Sequence, residues 1–275
     1  MPLTKNPRPH LRLALAAVAL IAPVAPLAAQ IDYRNLDDDR PVLTEDAYPV
    51  ERHAFEFLLP YAYQRERGGA DLHAFTPELE YGVLRNGQLG LKLPVAGSAA
   101  GGKTDWGVAG LRLFGLYNLN TESRHFPALA ARADLLLPVG ALGGDATRVS
   151  LKAIATRSWG RTRFHVNAAW TFGDETQLGA VEPGSRWSYS MAVDRTLFRQ
   201  SALLVGEIAV LRPVREAPVE VNAAIGARYQ WTTTTVFDLG LRRRLRQDAG
   251  PDIAVTAGFS HAFALPWLMP RGAGR

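Results

Sequence analysis

Thirteen charged residues recur at alternate positions within apolar stretches of the chain: Glu56, Glu78, Glu80, Lys92, Arg112, Arg132, Asp134, Lys152, Glu207, Glu220, Arg228, Asp238 and Arg242. Residues two apart leave an extended strand on the same side, so this spacing predicts one shared polar face that carries both signs. A face of that kind, turned inward, can pass a small solute. Mixed signs argue against a strongly ion-selective pore, which needs one sign at its constriction. The alternative is that the charges pair into ladders that rigidify and plug the interior.

Other chemistries find no assembled set of residues. A hydrolase needs a hydroxyl and an imidazole within hydrogen-bond reach and a third group to orient them. His73 and His261 fall on the apolar face, whereas Ser188 and Ser190 fall on the polar one, and neither a Gly-x-Ser-x-Gly nor a His-x-Ser-Asn-Gly run occurs. His165 and Asn167 share a face and read as part of an interior polar network. No enzyme is expected. Histidines stand at 10, 53, 73, 125, 165 and 261 without the His-x-x-x-His spacing of a metal site, and there is no cysteine. Asp37-Asp38-Asp39 could contribute oxygens to Ca²⁺, but no Gly-turn-and-Glu loop follows, and the run reads as a solvated acidic arm. Gly101-Gly102-Lys103-Thr104 ends like a phosphate-cradling loop, lacks the preceding glycine, and reads as an external loop. No cofactor and no metal are expected.

The elements that must position the charged face are strands. The chain has 275 residues, 47% of them hydrophobic, and a mean hydropathy of −0.06. That is too polar for a bundle of membrane helices and too apolar for a disordered chain. The formal charge of +5 includes Lys5, Arg8 and Arg12 in residues 1–29; the remaining 246 residues carry 28 basic and 26 acidic side chains, so no nucleic-acid partner is expected. Residues 1–29 run from basic to apolar to small, with Pro23 and Pro26 after a ten-residue apolar run, and read as a secretory signal peptide cut near Ala29. A membrane-spanning helix would need roughly 20 apolar residues.

Residues 30–52 read as an extended acidic arm. From His53 the period is two, clearest where Val219, Val221, Ala223, Ile225, Ala227, Tyr229 and Trp231 alternate with polar or small residues. The pattern predicts strands at 53–65, 71–84, 87–95, 104–119, 127–138, 146–159, 161–173, 185–198, 200–211, 219–231, 233–245 and 251–263. Connections at 85–86, 160, 199 and 232 are tight; 120–126 is the exception in that set. Those at 66–70, 96–103, 139–145, 174–184, 212–218 and 246–250 are longer. Asn86-Gly87 predicts a type I′ turn, with positive φ at both central residues. Tight turns at one end and long loops at the other describe a closed, antiparallel, up-and-down transmembrane β-barrel of about twelve strands with periplasmic termini. It spans 53–263, and 264–275 follow as a tail. Trp106, Tyr117, Trp170, Phe172, Trp187, Tyr229 and Trp231 on the apolar faces suit interfacial girdles. A soluble ligand-binding β-barrel would alternate in the same way, but its apolar face would line the core.

The last strand ends Thr256-Ala257-Gly258-Phe259-Ser260-His261-Ala262-Phe263. It resembles the C-terminal assembly signal of outer-membrane barrels, carried by Gly258, Phe259 and Phe263, though His261 stands where an aromatic is usual and twelve residues follow the Phe. The resemblance implies the barrel-assembly machinery as a partner. The chain from Gln30 onward also resembles the family of the putative MetA-pathway of phenol degradation, on Asp39-Arg40-Pro41, Glu51-Arg52-His53-Ala54-Phe55-Glu56, Leu79-Glu80-Tyr81-Gly82-Val83, Gln88-Leu89-Gly90-Leu91-Lys92-Leu93-Pro94, Leu135-Leu136-Leu137-Pro138-Val139-Gly140, His165-Val166-Asn167 and Gly258-Phe259-Ser260. That resemblance implies an outer-membrane barrel moving small aromatic or other apolar compounds, and it offers no catalytic residues. The resulting expectation is a passive outer-membrane channel of a Gram-negative envelope, in contact with lipid and gated by the longest loop, 174–184. A plugged structural barrel and a soluble periplasmic ligand-binding barrel are the alternatives.

Overall fold

A computed structural model describes residues 30–65, 71–100, 103–173, 185–213, 218–246 and 250–269. The signal segment 1–29 and the loop 174–184 lie outside them. The sheet's fifteen segments join into twelve antiparallel strands. These are β1 (Ala54–Arg65), β2 (Asp71–Phe75 and Glu78–Leu84), β3 (Gly87–Lys92 and Val95–Ala100), β4 (Lys103–Val108 and Leu111–Asn120), β5 (Ala128–Leu137) and β6 (Arg148–Trp159). They continue as β7 (Thr162–Phe172), β8 (Ser185–Leu197), β9 (Ala202–Pro213), β10 (Glu220–Thr232), β11 (Thr235–Arg244) and β12 (Ile253–Ala264). Each strand pairs with its sequence neighbours, and β12 closes on β1 from Ala54↔Ala264 to Arg65↔Ile253. Closure leaves no edge, the condition for a sheet to stand in hydrocarbon.

Three strands are interrupted where the chain cannot maintain its ladder. Pro60, Pro77 and Pro94 stand side by side on β1, β2 and β3. Each lacks an N–H but accepts through its carbonyl, from Thr76 N–H (3.1 Å), Leu93 N–H (3.0 Å) and Ala109 N–H (2.9 Å). The breaks at 76–77, 93–94 and 109–110 therefore form one kink line across the wall.

Alternation decides which face meets what. Leu239, Ile225, Ile208 and Met191 point outward and are more than half exposed, while their neighbours in sequence line the interior. Outward aromatics form two bands. Near the tight turns Phe55 stacks on Tyr81 (4.5 Å) and Phe263 (5.3 Å), and Trp159 lies edge-on to Phe164 (5.0 Å). Near the long loops Phe75 meets Trp106 (6.1 Å), and Trp187 meets Tyr189 (5.4 Å). These are the two girdles of a membrane barrel, and an outward apolar belt is opposite to what a soluble barrel presents. A charge placed at mid-belt should therefore be costly: Leu239→Lys is expected to lose about 2–4 kcal/mol, against about 0–1 for Trp231→Lys near the rim. Urea unfolding in lipid vesicles reads the difference, and equal losses would contradict the belt.

Several local expectations are corrected. Residues 96–100 are strand and not loop, since β3 runs to Ala100, and β4 begins at Lys103. The Arg85-Asn86 hairpin forms, but neither Asn86 nor Gly87 takes positive φ, so the turn is not type I′. A register shift between Gly82 and Leu84 adds local twist there instead. A helical turn, Phe198–Ser201, replaces the single-residue link between β8 and β9. In the loop after β5, Leu142 packs inward against Ala74, Ala96 and Ala109.

Candidate functional site: a lumen occupied by the N-terminal arm

The arm 30–52 is not solvated. It enters the lumen at the tight-turn end, where Ile31 N–H donates to Thr233 O (3.1 Å), and reverses at Asp37–Arg40. It then returns to the same end, where His53 N–H donates to Gly82 O (2.7 Å). Its two legs are joined by Asp46 N–H to Leu36 O (3.0 Å) and Leu36 N–H to the Asp46 carboxylate (3.2 Å). Ile31, Tyr33, Leu36, Val42 and Val50 pack on small wall residues including Ala192, Val205 and Ala262. Backbone groups that a buried irregular segment would leave unpaired are satisfied by the wall. Thr44 N–H and Oγ1 both donate to Glu207 (2.5 and 2.6 Å), Glu45 N–H donates to Asn167 Oδ1 (2.8 Å), and Val50 N–H to Gln88 Oε1 (2.6 Å).

Of the thirteen charged residues of the alternating face, Glu56, Glu78, Glu80, Lys92, Arg132, Asp134, Glu207, Arg228 and Asp238 are buried, and Arg112 and Lys152 reach carboxylates of the arm. Their arrangement around the wall is not uniform. Lys92 and Arg112 are direct cross-strand partners on β3 and β4, as are Arg132 and Lys152 on β5 and β6. Glu56 and Glu80 oppose each other on β1 and β2. Like charges in register are destabilising, so neither side of the wall is balanced by itself, whereas Arg228 faces Asp238 across β10 and β11. The arm supplies what is missing. Asp38 lies 3.0 Å from Arg112, 3.5 Å from Lys92 and 3.7 Å from Arg132, and it pairs closely with Lys152. Glu45 pairs with Arg132 (2.7 Å) and Lys152 (3.0 Å). Toward the acidic side, Arg40 joins Asp238 (2.8 Å), Asp37 (2.7 Å) and Ser260 Oγ (2.6 Å). Asp37 also takes Arg228 (3.0 Å). The oxygens considered for Ca²⁺ are thus largely engaged by cations of the chain itself.

Burial would raise the Asp38 pKa, but Lys152, Lys92, Arg132 and Arg112 outweigh it and hold this carboxyl well below the usual range. Asp46 goes the other way: burial raises it more than Arg163 and His165 lower it. A depressed carboxylate stabilises the folded arrangement above its unfolded pKa, and the contribution is lost as pH falls through the folded value. The hold on Asp38 should therefore persist down past about pH 3.9, the ordinary aspartate value, and protonation of Asp46 on the way down opposes release. Conductance recorded against pH is expected to stay at the closed level from about pH 8 to 4. An opening midpoint near neutrality would contradict this.

Alternation also places residues inward that the charged list omitted. Arg163 pairs with Asp46 (3.0 Å) and Asp194 (2.6 Å). Their parity on β7 and β8 was the available signal. His165 links Thr156 Oγ1 (3.0 Å) to the Asp194 carboxylate (2.9 Å), a hydroxyl–imidazole–carboxylate chain. Its hydroxyl is fully buried and accepts Ala47 N–H (3.1 Å) from the arm, which covers it while the arm is seated. His165 and Asn167 belong to the polar network that seats the arm.

In the last strand, Phe259 and Phe263 lie on the outer face against Phe57 (6.2 Å) and Phe55 (5.3 Å), and Gly258 lies opposite Pro60.

A closed twelve-stranded barrel with an apolar outer belt and a polar interior is of the outer-membrane type. Solved structures of similar fold include the COG4313 outer membrane channel from Pseudomonas putida F1, at 17% identity and TM-score 0.58, covering 83% of this chain and 100% of that one. The KdgM porin matches at 10% identity and TM-score 0.53, over 76% and 99%. The NanC porin matches at 11% and 0.51, over 77% and 100%. At such identities the likeness establishes the fold alone. No family model matches the chain, and no curated protein matches it in sequence.

Proposed function

We propose that this chain is a passive channel of the Gram-negative outer membrane for small molecules, aromatic or otherwise apolar compounds among them, closed at rest by its own N-terminal arm. The resemblance to the putative MetA-pathway of phenol degradation family supports the class of solute, and the porins and channel of similar fold support a conducting barrel. The observation that carries the reading is that the arm, and not wall side chains alone, divides the lumen. On the tight-turn side is a cavity of about 600 Å³ around Tyr33, Glu51 and Arg161. On the long-loop side is one of about 80 Å³ around Asp39, Arg112, Asp134 and Ser188. The arm joins no wall strand by a continuous ladder, so it can leave without unzipping the barrel. In this reading the outer belt meets lipid, the last strand with Gly258, Phe259 and Phe263 engages the barrel-assembly machinery, and the tight turns face the periplasm.

Planar-bilayer recording of the full chain and of a variant lacking residues 31–50 tests it. The full chain is expected to show rare, brief openings and the shortened one a sustained conductance. The shortened chain must first show the faster unboiled band on SDS gels that marks a folded barrel. A folded but silent barrel would support the plugged structural reading instead.

A further inference from the structure

The cations around Asp38 are arranged as a binding site whose occupant is part of the chain. Lys92, Arg112, Arg132 and Lys152 converge from four consecutive strands as two like-charge register pairs. Among the described residues of the wall they have two acidic partners, Glu78 on Lys92 (3.1 Å) and Asp134 on Arg132 (2.9 Å), the latter also 3.9 Å from Arg112. Asp38 and Glu45 of the arm supply two more carboxylates, and Lys152 and Arg132 each contact both, while Asp39 lies only at 4.0 Å from Arg112 and is half exposed. Arg132 also stands over the Phe114 ring, its Cζ 3.7 Å from the ring centre. When the arm leaves, an excess of two positive charges is stranded in a confined lumen, where unpaired ions are costly. An anion with two carboxylates restores both balance and geometry.

We infer that these four side chains form a binding site for a small organic dicarboxylate, which Asp38 and Glu45 occupy while the channel is closed. As one further solute of the channel, beside the apolar ones, this rests on the proposed function; as a binding site, it can be tested separately. The arm and such a solute compete for the same cations, so the solute favours the open state by taking the arm's place.

The test uses the full chain carrying Asp38→Asn and Glu45→Gln, shown to be a folded barrel by its gel shift, and calorimetric titration with succinate. Succinate is expected to bind about tenfold or more tighter than to the unaltered chain, and tighter than succinamide, its neutral analogue, by a similar factor. Adding Lys152→Gln should abolish the preference. Succinate binding no tighter than succinamide would overturn the site. Should the double variant fail to fold, Asp38→Asn alone, titrated with acetate against acetamide, is read in the same way. Conductance of the arm-deleted barrel keeps the two readings apart. Binding without current in the arm-deleted barrel overturns the channel and leaves the site, whereas current without selective binding does the reverse.

Discussion

Gly240→Val is expected to expel the arm and leave the barrel standing. Gly240 lies on the inner face of β11 opposite Gly226 of β10, and together they form a notch that seats Pro41. A Cβ at Gly240 would stand 2.0 Å from the Pro41 carbonyl oxygen and 2.5 Å from Thr256 Oγ1. The backbone there is ordinary strand and valine suits it, so the strain falls on the arm. Overpacking of this kind costs about 1–3 kcal/mol, which shifts the ratio of released to seated arm by a factor of about 5 to 150. The chain has no cysteine, so Ala47→Cys, at a fully buried arm position, is a unique reporter. A thiol reagent should label it slowly in the otherwise unaltered chain and faster by that factor with Gly240→Val, alongside a rise in bilayer conductance. Unchanged labelling of a folded barrel would mean that the arm does not depend on the notch.

Arg132→Ala is expected to have the largest effect on stability. The guanidinium is almost completely buried and serves Glu45, Asp134 and Asp38 at once. Its removal leaves Asp134 with Arg112 alone at 3.9 Å and Glu45 with Lys152 alone, both largely buried, a loss of about 3–5 kcal/mol. The temperature at which the unboiled gel band converts to the unfolded one should fall, and the Ala47→Cys reporter should become accessible. Adding Glu45→Gln removes one stranded charge and should recover part of the loss. Were Arg132 only filling space over Phe114, the second substitution would recover nothing.

The wall of this barrel was legible because a strand's two faces are a property of sequence parity. Val219 to Trp231 alternates residue by residue, so the face of Arg228 and the opposite face of Tyr229 follow from their numbers alone. The same parity turned Lys92, Arg112, Arg132 and Lys152 inward. Some features depended on non-local pairing. The residues at 96–99 read as loop because small residues carry no alternation signal, yet they pair with Asp71–Ala74 from β2. Asn86-Gly87 predicted a turn type that neighbouring pairing replaced with a register shift.

The arm was not legible. Residues 30–52 have no period, because an irregular segment meets its surroundings residue by residue and not by face. Three consecutive aspartates look the same in sequence whether water or cations receive them. The cations that receive Asp38 stand 54, 74 and 114 residues away at Lys92, Arg112 and Lys152, and nothing in the spacing announces that they converge. By itself, then, the sequence determined an alternating chain of a length and punctuation that close into a barrel, with its charges on one side. Only the tertiary structure decided that pairing places like charges in register across β3–β4, β5–β6 and β1–β2. An imbalance confined within a lumen is relieved most strongly by opposite charges held there, and the arm carries them.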